Sequence, residues 1–121
     1  MKSSSFGLAA MFAASLASSA YAQTSWVEIG DQVAVAPFDA TVDQIDDWDV
    51  LAADGTKIGE VEEVLGTAAD QPTALVVDFE GNGGHQDRDV IIPIDQFSLA
   101  DSKLTLNADA AAIADMEVWN D

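Results

Sequence analysis

The stretch Asp49-Val50-Leu51-Ala52-Ala53-Asp54-Gly55-Thr56-Lys57-Ile58-Gly59-Glu60-Val61-Glu62-Glu63-Val64-Leu65 sets two apolar runs on either side of an Asp-Gly pair. Gly55 can take the positive φ that a tight hairpin turn demands, so the run 48–52 is expected to fold back against 57–65 as an antiparallel pair. On the return strand Ile58, Val61 and Val64 break strict alternation. A helix shares that spacing, but Gly59 inside the run and the Asp-Gly turn before it favour a strand. A bulge near Gly59 or at Glu62-Glu63 would return the apolar residues to one face.

Working outward, residues 66–72 read as a loop and 73–79 as a strand with Leu75, Val77 and Phe79 on one face. Residues 80–87, EGNGGHQD, form a glycine-rich connector. The run 90–94 is the most apolar strand, and Pro93 within it marks a strand end or a sheet edge, because proline has no N–H for the ladder. Asp95-Gln96-Phe97 makes a turn, and 98–107 a second hairpin centred on Asp101-Ser102. The tail is a short helix with Asn107 as N-cap, Asp109 in the first turn, and Ile113 and Met116 on a shared face. Upstream, 41–49 is a charged turn or short helix, and the segment before it is an extended arm that Pro37 interrupts. Short strands at close spacing with one terminal helix predict an all-β fold, a small barrel of about five to six strands, rather than βαβ units.

The amino terminus stands apart. Met1-Lys2 gives a basic start, residues 6–20 carry no charge, and Ala20-Tyr21-Ala22 is a small-x-small cleavage signature. This pattern predicts a secretory signal peptide over 1–22, cut between Ala22 and Gln23. The apolar run is too short and too rich in Ser and Ala for a spanning helix. The expected plan is therefore a signal peptide over 1–22, an arm over 23–44 and a barrel domain over 45–121, secreted to the periplasm.

Charge narrows the function. Against 22 carboxylates the whole chain has 4 bases, a net charge of −18. Cleavage would remove Lys2 and leave Lys57, Arg88 and Lys103 as the only cations. Three scattered bases cannot form the stripe that nucleic acid requires, and an anionic membrane surface would repel the protein. No cysteine is present, which excludes thiol chemistry and disulfide staples.

In this order the motifs resemble the PRC-barrel domain. Residues 49–65 are similar to its opening valine strand, acidic Asp-Gly turn and Ile-Gly-x-Val-x-x-Val run. Ala74-Leu75-Val76-Val77 resembles its third strand, and 89–97 its strand and turn around Pro93. Residues 116–121 are similar to its acidic, tryptophan-containing ending. The resemblance implies a six-stranded barrel or close variant used for interaction and assembly, without shared catalytic residues. Members include the globular part of the photosynthetic reaction-centre H subunit and a module of a ribosome-maturation factor. One departure stands out. Many bacterial members have a Gly-Gly-Phe-Leu-Gly-type apolar loop where this chain has Gly83-Gly84-His85-Gln86-Asp87-Arg88, so their docking surfaces do not transfer.

Catalysis would have to be built from His85, Ser25, Ser98 or Ser102, and an aspartate such as Asp87 or Asp89. No serine stands in a nucleophile-elbow setting, and His85 reads as a solvated loop residue, so no catalytic residue and no cofactor is expected. Residues 81–84 lack the lysine and helix of a phosphate loop. Asp43, Asp46, Asp47 and Asp49, with Glu60, Glu62 and Glu63, supply oxygen ligands, but no window has calcium-loop spacing, so no metal site is assigned beyond weak divalent binding. Trp48 and Trp119 read as packing residues. The candidate contacts for a protein partner are Trp26 in the arm and Glu60, Glu62 and Glu63. The expected function is a non-enzymatic interaction or assembly module acting through an acidic surface. The alternative is a soluble acidic envelope protein with weak divalent-cation binding or a salt-stress role. Amino-terminal sequencing of the protein from its host's envelope should begin at Gln23; a chain beginning at Met1 would contradict the signal-peptide reading.

Overall fold

A computed structural model describes residues 25–120. The expected signal peptide and its cleavage site lie outside the described residues. The strands are β1 (Val27–Glu28), β2 (Ala34–Val35), β3 (Ala40–Thr41), β4 (Asp49–Leu51), β5 (Lys57–Ala68), β6 (Gln71–Phe79), β7 (Asp89–Pro93), β8 (Phe97–Ala100) and β9 (Lys103–Leu106). Two short α-helices, α1 (Val42–Ile45) and α2 (Ala110–Ala114), and 3-10 turns at Ala36–Phe38 and Ile94–Gln96 complete the fold. The order β7-β6-β5-β4-β9-β8, with β1 also on β5, makes one seven-stranded sheet that curls into a half-barrel. The six strands β4 to β9 match the expected number.

The 12-residue β5 is the spine. One edge pairs along its length with β6, while the other carries β4 near its start and β1 near its end. Val50 pairs with Gly59 but Leu51 with Lys57, leaving Ile58 as an extra residue on one edge. On the other edge Val61 pairs with Val77 and Glu63 with Val76, leaving Glu62 as an extra residue. Bulges therefore occur at both expected places. They bend the strand and increase its twist, and Ile58, Val61 and Val64 all reach the core despite their spacing. There they meet Leu75, Val77, Phe79, Val90 and Ile92 from β6 and β7. Val50 and Leu104, fully buried, join β4 to β9 in a parallel pairing that closes the curl.

Three local expectations need correction. Residues 66–72 are not a loop: β5 runs on to Ala68 and β6 begins at Gln71, leaving a two-residue turn. Gly66 permits this, because a Cβ there would strike the Gln71 carbonyl, and Pro72 sits opposite it where the register already slips. The cap of α2 is Asp109, whose Oδ1 accepts the Ala112 N–H at 2.9 Å, while Asn107 donates to the Ser98 hydroxyl at 3.2 Å. The segment read as an arm is packed into the barrel from Ile29 onward, with Ile29, Val35, Phe38 and Val42 in the main core. It enters the sheet through α1, where Thr41 and Gln44 form a reciprocal capping box.

A Cβ at Gly59 would lie 2.6 Å from the Asp78 carbonyl oxygen, whereas one at Gly30 would meet nothing within 4 Å. Gly59→Ala should therefore lower stability by about 2 kcal/mol through overpacking. Gly30→Ala should change it by no more than about 1 kcal/mol, and in the stabilising direction. Urea unfolding of the two variants checks the contrast.

Candidate functional site

Successive side chains of a strand face opposite sides of the sheet. Because Leu75, Val77 and Phe79 point into the core, Ala74, Val76 and Asp78 point outward. Their partners on β7 are Pro93, Ile91 and Asp89, and on β5 Leu65, Glu63 and Glu60. The outer face therefore runs from an acidic end through an apolar middle. The bulge brings Glu62 to the acidic end, where carboxylate oxygens of Glu62, Asp78 and Asp89 all lie within 4.8 Å of one another.

Desolvation and this crowding together raise the pKa of Asp78. Its carboxyl is held above the ordinary aspartate range, chiefly by partial desolvation, then by the negative charge of Asp89 and a side-chain hydrogen bond with it, with Asp87 and Glu60 adding to it. Close by, Asp31, Asp46, Glu62 and Glu63 line a hollow of about 140 Å³. Asp46 is pushed up as well, by burial first and then by Asp47, Asp31 and Asp43.

The described residues include three cations, Lys57, Arg88 and Lys103, and each is engaged. Lys57 Nζ sits 3.0 Å from Glu60, 3.4 Å from Asp49 and 3.5 Å from Glu80, and Lys103 is 3.5 Å from Asp49. The bond to Glu60 does most to raise the Lys57 pKa. Arg88 donates to the Ala114 carbonyl at 3.3 Å. Among the described residues neither Asp78 nor Asp89 makes an ion pair.

The sequence-derived candidates separate accordingly. Glu62 joins the carboxylate cluster, Glu63 lines the neighbouring hollow, and Glu60 is held by Lys57. Trp26, a candidate partner contact, is half-buried: with Trp119 it covers Leu65, Ala74, Val76 and Ile91 on the outer face. Its Nε1 donates to Glu117 at 3.0 Å. The tail follows the outer edge of β7, with Ile91 N–H donating to the Glu117 carbonyl and Trp119 N–H to that of Asp89. His85, read as solvated, lies flat on Phe79 with ring centroids 4.4 Å apart, and burial lowers its pKa. It meets an aromatic ring there, while the Ser98 hydroxyl is bonded to Asn107.

Asp78 and Asp89 were not singled out as partner contacts by sequence reasoning. The signal was one aspartate in each of two adjacent strands, and only the β6–β7 register makes them opposite neighbours.

A curled half-barrel of six strands with an amino-terminal strand added to its longest member and a one-turn helix at its end defines the class. The family model of the PRC-barrel domain matches residues 39–113. The chain belongs to the PRC-barrel domain family. No curated protein matches it.

A carboxyl whose pKa is raised in the folded state opposes folding when ionised and is relieved as pH falls through that raised value. Asp78→Asn should stabilise the protein at pH 7 by about 0.5 kcal/mol, the scale of a like-charged cross-strand pair. The gain should shrink toward zero in acid, where the native carboxyl is already neutral; a gain independent of pH between 7 and 4 would contradict this origin.

Proposed function

We propose that this PRC-barrel protein is a non-catalytic module, exported to the periplasm, that binds a cationic partner protein through the acidic end of its outer sheet face. The observation that carries this reading is the convergence of Glu62, Asp78 and Asp89 on the three-stranded surface of β5, β6 and β7. Like charges held this close oppose folding, and a partner's Lys or Arg placed among them would turn that opposition into binding energy. The neighbouring Asp46 hollow extends the same negative field. The stacking of His85 on Phe79 supports the non-catalytic reading, since it places the lone imidazole flat on a hydrocarbon ring.

A second reading rests on the same oxygens. Three carboxylates within 4.8 Å also suit a hard divalent cation, which takes oxygen ligands.

The two are separated by capture and by melting. The protein, used as bait in its host's envelope extract, should retain a stoichiometric partner at low salt and release it at high salt. A bait carrying Asp78→Asn, Asp89→Asn and Glu62→Gln should retain none. Capture that persists in high salt, or equal capture by the triple variant, would remove the acidic face as the interface. Calcium or magnesium should raise Tm no more than sodium chloride of matched ionic strength; a divalent-specific rise lost in the triple variant would favour the cation reading.

A further inference from the structure

A second surface lies at the other end of β6 and β7 from Asp78 and Asp89, where Ala74 pairs with Pro93. Thr73 and Pro93 line two hollows at once, one of about 430 Å³ and the other of about 390 Å³. The two hollows adjoin at these residues, as two halves of an apolar trough. One half is walled by Pro37, Phe38, Pro72, Phe97 and Leu99, the other by Trp26, Ala74, Ile91 and Met116.

Its composition is unlike the rest of the surface. The chain has three prolines, and all three line this trough. Proline has no N–H and a fixed φ, so these walls require no hydrogen bond from a ligand and lose little freedom when covered. Leu99, 38% exposed, is one of the two exposed large hydrophobics among the described residues. The lining contains no Lys or Arg, and two carboxylates: Asp95 in the first half and Glu117 in the second.

We propose that the trough binds an extended apolar segment of a partner protein that carries Lys or Arg on its flanks. Apolar side chains would cover the proline and aromatic walls, and the flanking cations would meet Asp95 and Glu117. Charge selects this occupant over the others. A second copy would bring one net charge of −18 against another, and an anionic lipid surface is repelled by the same field, whereas a cationic segment is drawn in by it. The surface is separate from the acidic cluster, and its test does not depend on the reading given for that cluster.

The test uses fluorescence anisotropy of the purified protein with three short labelled peptides. They share a Leu-Val-Trp-Val-Leu centre and carry Lys, Ser or Glu at both ends. The Lys-flanked peptide should bind about tenfold or more tighter than the Glu-flanked one, with the Ser-flanked peptide between them. Thr73→Arg, at the exposed junction of the two halves, should weaken the Lys-flanked peptide about tenfold, and Leu99→Lys should weaken it in the same direction. Asp78→Asn should leave its affinity unchanged. Unaltered Tm values confirm that the trough variants remain folded. Failure of all three peptides to bind, indifference to their flanks, or wild-type affinity in both trough variants overturns the proposal. Loss of binding in Asp78→Asn alone would also overturn it, by moving the peptide to the acidic face. A dimer in sedimentation that Thr73→Arg dissolves, with no peptide bound, would show that a second copy covers the trough.

Discussion

The fold depends on one strand being long and bent. β5 holds β6 on one edge and both β4 and β1 on the other, and β7 and β9 are attached through its partners. A regular strand of 12 residues would span about 40 Å, far beyond what one small core could cover. The extra residues at Ile58 and Glu62 break that length into bent segments, each turning its apolar residues inward. Gly59 and Gly66 mark where neighbouring backbone comes too close for a side chain. Curl, core and closure by the parallel β4–β9 pairing all follow from this strand.

The same bends shape the outside. The bulge that keeps Val61 and Val64 in the core places Glu62 next to Asp78 and Asp89, so the geometry of the core sets the geometry of the acidic cluster. The apolar middle of the outer face is not left to solvent. Trp26 from one end of the described chain and Trp119 from the other cover it, and the Trp26–Glu117 hydrogen bond ties the two ends together. Trp26, Ala74 and Ile91 of this small outer cluster also wall one half of the trough, beyond the acidic end of the same face.

Much of this was legible in the sequence. The Asp-Gly turn, the two bulges, the inward face of β6, the strand ending at Pro93 and the second hairpin each rest on a local preference of backbone or side chain. What was not legible depended on pairings between distant segments. β1 adds to β5 across nearly forty positions, and β4 pairs in parallel with β9 across more than fifty. Neither leaves a mark in local periodicity. The placement of Trp26 was hidden for the same reason: an aromatic in an apparently extended arm is half-buried because the carboxy-terminal tail comes to meet it. At the site, Glu62 stood out as one of a run of acids, while Asp78 and Asp89 acquired meaning only from the register that sets them opposite each other.

The central claim is that the acidic end of the outer face is where this PRC-barrel protein meets its partner. The most direct test places a photocrosslinking residue in living host cells at position 87, beside Asp78 and Asp89, and in a parallel strain at position 69, in the β5–β6 turn. The account predicts a discrete adduct from position 87 that weakens as external salt rises, and not that adduct from position 69. The same adducts from both positions, or adducts from position 69 alone, would contradict it.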